Sequence, residues 1–270
     1  MFINTNVGAM NAHRNLSFNN TNMNKTMEKL SSGYRINRAA DDAAGLAISE
    51  KMRFQINGLQ QAQRNAQDGI SLIQTAEGAL TEVHAMLQRL NTLATQAANG
   101  TYNDAEDRAA IDKEVQQLLQ EISNIAANTT FNGISLLNNG NTLNFQVGST
   151  ADTTISVALK DMSTSELGID GIDLTTEAGA QAAIETIKSA INTVSEQRAV
   201  FGAAQNRLEH TINNLGVNAE NLSAAQSRIR DADMAAEMTN FTKNQILVQA
   251  GTSMLAQANS VPQNVLKLLG

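Results

Sequence analysis

The chain has no cysteine and no tryptophan, only 3% aromatic residues, and a single proline, Pro262, in 270 residues. Without Cys there are no disulfides, no thiolate catalysis and no Cys-based zinc sites, and the protein is indifferent to the redox state of its surroundings. With so little proline the usual obligatory helix stops are missing, so long uninterrupted helices are allowed. Positive charge is in deficit: 19 Lys and Arg against 26 Asp and Glu give a formal net charge of -7. That balance opposes non-specific attraction to nucleic acid or to an anionic membrane, and neither is expected as a partner. No run of about 18 apolar residues occurs, as a conventional transmembrane helix would require. The start, Met1-Phe2-Ile3-Asn4-Thr5-Asn6, carries neither a basic stretch nor an apolar run, so no cleavable secretory signal is expected. Against these absences stands a 42% hydrophobic content, which argues for a folded core.

The apolar residues are arranged in long rows. Met52, Leu59, Ala66, Ile73, Leu80, Leu87 and Ala94 recur every seven residues, and Ala62, Gly69, Ala76, Val83, Leu90 and Ala97 form a second row three positions later, with Gln55 its one polar member. This is a heptad seam, and a helix over about 44–99 would be roughly 75 Å long, beyond what packs alone. A matching row in the second half, Ile187, Val194, Phe201, Leu208, Leu215, Leu222, Ile229 and Ala236, predicts a partner helix over about 180–228, most simply antiparallel. A third helix is expected over about 104–128 from Ile111, Val115, Leu118, Ile122 and Ile125, opened by Asn103 and Glu106 in the spacing of a capping box. The fold class is therefore mainly α, a long antiparallel helical bundle resembling a coiled-coil rod.

Between the helices the pattern changes. Asn132-Gly133, Asn139-Gly140 and Gly148 punctuate short runs at 134–137, 143–147 and 154–159, so a small β-hairpin region is expected within about 130–160. Residues 161–176 are rich in Ser, Thr, Asp and Gly and are expected to form a surface loop.

Both chain ends carry apolar helical stripes without an evident local core. Leu16, Met23, Met27 and Leu30 form one in an Asn-rich segment. Ile246, Leu247, Met254 and Leu255 lie on another, followed by Leu268 and Leu269 at the apolar end. Ordering the first 43 or so residues costs more backbone entropy than their few sizeable apolar side chains return on burial. These ends are expected to be mobile in an isolated monomer and to order when neighbouring subunits supply buried surface, which points to polymerisation through the termini.

Chemistry-bearing constellations are weak. His13, His84 and His210 form no helix-spaced ligand pair, and no metal, cofactor or catalytic site is expected. Asp41 and Asp42 are adjacent, so on a helix they do not face each other, and a helix N-terminal or subunit-contact role is the better account. Gly33 and Gly45 belong to no phosphate-binding pattern and are expected to mark bends between helices.

Two long motifs carry a resemblance. Residues 29–48, Lys-Leu-Ser-Ser-Gly-Tyr-Arg-Ile-Asn-Arg-Ala-Ala-Asp-Asp-Ala-Ala-Gly-Leu-Ala-Ile, are similar to the N-terminal signature of bacterial flagellins. Residues 249–259, Gln-Ala-Gly-Thr-Ser-Met-Leu-Ala-Gln-Ala-Asn, resemble their C-terminal signature. Further similarity runs through 65–79 and Phe131-Asn132-Gly133, so the resemblance spans nearly the whole chain except roughly 150–180.

The resemblance implies an inner domain built from both ends, 1–43 and 229–270, and a rod domain over 44–228, with no room for outer variable domains. It implies a non-enzymatic subunit of the flagellar filament, extracellular, exported without signal cleavage, and polymerising with itself for swimming motility. Implied partners are flagellar cap and hook-associated proteins, an export chaperone on the C-terminal segment, and the flagellin-sensing Toll-like receptor of hosts. For the last of these, Arg89 and Leu93 fall at the family's anchor positions and Glu114 at the matching position on the next helix. On the alternative view Leu90 and Ala94 are core, Arg89 is solvated and Leu93 packs against a neighbouring subunit. Two rivals to a filament subunit are a hook–filament junction protein of the same superfamily and a coiled-coil adaptor that does not polymerise. The protease insert of some family members is not expected, because 130–180 lack its His and Glu ligands.

Overall fold

The structure is a computed structural model that describes residues 5–269, excepting the side chains of Asp104, Ala105 and 261–269. It contains helices α1 (Val7–Ser32), α2 (Ala43–Ala97), α3 (Ala109–Asn128), α4 (Glu177–Arg230) and α5 (Met234–Leu269), with a π-helical turn at Asp104–Arg108. Two hairpins lie between α3 and α4: β1 (Thr130–Phe131) with β2 (Ile134–Ser135), and β3 (Thr142–Gln146) with β4 (Thr154–Ala158), both antiparallel. The residues divide into a terminal unit, 1–56 with 220–270, and a central unit, 57–219.

The central unit holds the core. From Ala66 and Ala62 onward, every member of the two expected rows on α2 is buried, including Ile73, Leu80, Val83, Leu87 and Leu90. On α4 the facing row is buried at Ile187, Val194, Phe201, Leu208 and Leu215. Ion pairs establish the antiparallel course: Arg198 meets Glu77 at 3.8 Å, whereas Arg108, just beyond the end of α2, meets Glu177 at the start of α4 at 4.0 Å. Val115, Leu119, Ile122 and Ala126 bring α3 into the same cluster. Each fully buried Leu or Ile contributes about 1.5–3 kcal/mol relative to exposure, so the seam supplies most of the unit's driving force.

The β1–β2 turn is made by Asn132 and Gly133, with φ of 49° and 79°. Both values lie in the left-handed region that Asn and Gly tolerate and that a two-residue hairpin loop demands. In β3 and β4 Phe145 pairs with Ile155. The ring of Phe145 lies so close to Gly69 that a Cβ there would stand 3.0 Å from it, which is why the seam carries a glycine at that point. Asn65 Nδ2 donates to Gln146 O at 3.1 Å, and Gln197 Nε2 donates to Ala158 O at 2.9 Å. The hairpin is thereby tied to α2 on one side and to α4 on the other.

Three expectations need correction. The segment 161–176 is no simple surface loop: Met162, Leu167, Ile169, Ile172 and Leu174 are all buried in the central core, and its polar composition masked a regular scatter of apolar anchors. The capping box at Asn103 does not form with Glu106, because the π-helical turn adds a residue. Arg108 N–H reaches back five residues to Asn103 O, and the Asn103 N–H donates to Asp107 Oδ2 at 3.1 Å. Of the two glycines expected at bends, Gly33 does end α1 with φ 73°, but Gly45 is buried in the first turn of α2. A Cβ at position 45 would collide with Asp42 Oδ2 at 2.4 Å and with Ile36, so a close approach, not a bend, requires the glycine.

In the terminal unit α1 and α5 run antiparallel. Asn6 Nδ2 donates to Ala258 O at 2.7 Å, Leu16 packs on Gly251, and Lys29 pairs with Glu237 at 3.3 Å. The linkers after α1 and before α5 meet in one antiparallel bridge, Tyr34 to Asp231, flanked by Arg35 N–H to Arg230 O and Ala232 N–H to Gly33 O. Arg230 lies 4.7 Å over the Tyr34 ring and pairs with Glu50. Asp42 caps α2 by accepting from Gly45 N–H at 2.9 Å, and Asp233 caps α5 by accepting from Ala235 N–H. Asp41 accepts from Arg38 N–H at 3.0 Å, which, ahead of the opposing effect of burial, holds its carboxyl below the ordinary carboxylate range.

Candidate functional site

The terminal unit exposes apolar side chains. Among its described residues only Ile36 and Ile56 are buried apolar side chains of Val size or larger. The α1 stripe divides: Leu16, Met23 and Leu30 are half-buried, while Met27 is exposed, joined by Val7, Met10 and Phe18. On α5, Leu255 is half-buried, whereas Ile246 (59% exposed), Leu247 and Met254 (65% exposed) project outward with Met234 and Met238. Leu268 and Leu269 lie outside the described side chains. Near the open end of the pair, Asn6, Ala9, Met10, His13, Leu255 and Asn259 line a groove of about 560 Å³. An antiparallel pair of this kind satisfies its backbone internally but leaves a row of apolar side chains to water, the condition in which a helix pair associates with further helices.

The central unit presents a different surface. Arg89 reaches Glu114 with its Nη2 2.7 Å from Oε1, and both side chains are about half exposed. Leu90 and Ala94 are core. Leu93 is 2% exposed; it packs inside its own subunit, so it is neither an accessible anchor nor a contact to a neighbour. One residue that sequence reasoning passed over is Arg108, 3% exposed, whose Nε donates to Ala97 O at 2.7 Å and Nη2 to Asn99 O at 2.9 Å. It satisfies carbonyls at the C-terminal end of α2, where helix orphans and the macrodipole both favour a cation. The only hint in the sequence is an Arg placed directly after an acidic turn, and that is too common to single out.

Among the described residues no three His, Asp or Glu side chains lie together as a metal site would need, and no helix is long and apolar enough to cross a membrane.

The bacterial flagellin N-terminal helical region matches residues 3–142, and the bacterial flagellin C-terminal helical region matches residues 184–269. The chain belongs to the bacterial flagellin family. Flagellin of Bacillus subtilis (strain 168) is 53% identical over 303 aligned residues, and that of Halalkalibacterium halodurans is 56% identical over 272; each alignment covers 100% of both chains. The flagellar filament 33 kDa core protein of Treponema phagedenis is 49% identical, again over all of both chains. Among solved structures, the crystal structure of Bacillus cereus flagellin matches with a TM-score of 0.52 and 38% identity, over 60% of this chain and 94% of that one. A putative flagellar hook-associated protein from Vibrio parahaemolyticus matches with a TM-score of 0.62 at 14% identity, over 71% of this chain and 100% of that one, a likeness of fold alone. Between the two matched flagellin regions lie only residues 143–183, which hold β4, all but the first residue of β3, the packed loop and the first turns of α4. This flagellin therefore has no outer variable domain.

Proposed function

We propose that this flagellin is the structural, non-enzymatic subunit of a bacterial flagellar filament and polymerises with copies of itself through its terminal unit. The observation that carries the proposal is the pairing of α1 with α5, which joins both chain ends yet leaves Met10, Phe18, Met27, Ile246 and Met254 exposed. Full-length relatives bearing the names flagellin and flagellar filament core protein support it. The contacts are heterologous, so they do not close, and an open helical polymer results. In this account 1–43 and 229–270 make the inner domain and 44–228 the rod. The chain reaches the extracellular filament without signal cleavage, by way of the export chaperone, and meets cap and hook-associated proteins there. Arg89 and Glu114 are the contacts offered to a host Toll-like receptor, while Leu93 supports them from beneath.

The test is electron microscopy of the full-length chain after seeding or salting out, beside a fragment of residues 44–228. Filaments from the full-length chain alone are expected. A full-length chain that stays monomeric when seeded would favour the junction-protein or adaptor alternatives instead.

A further inference from the structure

Among the described side chains, the terminal helices do not hold the most exposed large apolar one. Phe54, on α2, is 71% exposed, in a protein whose aromatic content is 3% and whose Phe201 is 1% exposed. At 100° per residue, Gly45, Ser49, Met52 and Ile56 occupy the inner face of this part of α2, three of them buried and Met52 half-buried. Phe54 falls on the outer face and Ile48 (49% exposed) on its flank, with Lys51 between the two apolar side chains. Arg53 flanks Phe54 on the other side. Neither Lys51 nor Arg53 is in an ion pair, whereas the acidic residue nearest in sequence, Glu50, is already engaged by Arg230. An exposed Phe on the outer face is thus accompanied by an exposed Ile on the flank and by two cations, Lys51 and Arg53, that are in no ion pair.

Charge says what fits it. The terminal unit carries 11 Lys and Arg against 8 Asp and Glu, net +3, and the central unit 8 against 18, net −10. A basic, aromatic patch on the one and an acidic surface on the other are complementary between two copies of the chain. Exposed aromatics framed by polar groups are also the usual anchors of interfaces.

We infer that Ile48, Lys51 and Phe54 form a second subunit contact, distinct from the α1–α5 faces, that docks on the acidic central unit of another copy. This inference rests on the filament function proposed above and names a further contact within it. It is tested in the full-length protein by the critical concentration for seeded growth. Phe54→Ala raises that concentration at least about 10-fold while leaving the monomer's thermal unfolding and circular dichroism unchanged, because Phe54 lies on the outer face. Lys51→Glu raises it further than Lys51→Gln does, since it reverses the complementary charge. Wild-type growth with an unchanged critical concentration in Phe54→Ala overturns the contact. Equal effects of Lys51→Glu and Lys51→Gln overturn the acidic partner. Failure of the wild type itself to grow on seeds would count against the filament function, not against this patch.

Discussion

The two units of this chain use similar helices to opposite ends. In the central unit a seam of Leu, Ile, Val and Ala is closed by a facing helix, a third helix, a hairpin and a packed loop, and the unit is strongly acidic. In the terminal unit the same kind of apolar stripe meets, among the described residues, one partner helix, so part of each stripe faces water, and the unit's net charge is slightly positive. Amphipathicity alone therefore does not fix a helix's role. What matters is how many neighbours the chain itself supplies, and where it supplies too few, other copies of the chain must complete the packing.

The sharpest way to break this contrast is to cut the central core. Phe201→Ala removes a side chain 1% exposed and is expected to lower monomer stability by about 3–5 kcal/mol, measured by chemical denaturation. Arg108→Met should cost about 1–3 kcal/mol in the same assay, because it strips donors from the Ala97 and Asn99 carbonyls while keeping the apolar stem. At the other pole, Met254→Ala should change monomer stability by no more than about 0.5 kcal/mol and yet weaken filament growth. If it destabilised the monomer as Phe201→Ala does, the two units would not differ in the way described. Amide hydrogen exchange offers a finer measure: protection in α1 and α5 should fall well below that in the seam of α2, and equal protection would remove the contrast.

The smallest expected effect concerns acid. Asp41 titrates below the ordinary carboxylate range in the folded state, chiefly because Arg38 N–H donates to it. A depressed folded value means that its contribution is complete above the unfolded value, near about 3.9, and is lost as pH falls through the lower folded one. The stabilities of wild type and Asp41→Asn should therefore differ at neutral pH and converge in strong acid. A gap that persisted there would mean that Asp41 acts by packing and not by charge.

Much of the fold was legible in the sequence because a period of seven over many turns has one physical meaning. The rows from Ala66 to Ala97 and from Ile187 to Leu215 were read correctly as core. The two rows were narrower than the face that actually buries, however, since Leu72 and Leu93 are core as well. At Leu72 that extra width comes from the two hairpins, whose Phe131, Ile134 and Phe145 line the same recess and whose positions no local pattern on α2 encodes. The loop 161–176 was misread for the complementary reason: its apolar residues have neither helical nor strand period, so only tertiary contact reveals them. Of the candidate assembly residues, the helical stripes were visible, but their division into a half facing the partner helix and a half facing outward follows from the α1–α5 register set at Asn6, Leu16 and Lys29.

That register also sets a timetable. Asn6 finds its acceptor 252 positions later, and Lys29 its partner 208 positions later. Pairs so remote pay a large loop-closure cost unless the intervening chain has already condensed. The pairing of α1 with α5 is therefore expected to be the last step of folding, waiting both on a folded middle and on the arrival of the final helix. Until then the first helix has no intramolecular partner, and the completed pair appears only on a chain whose centre is already built.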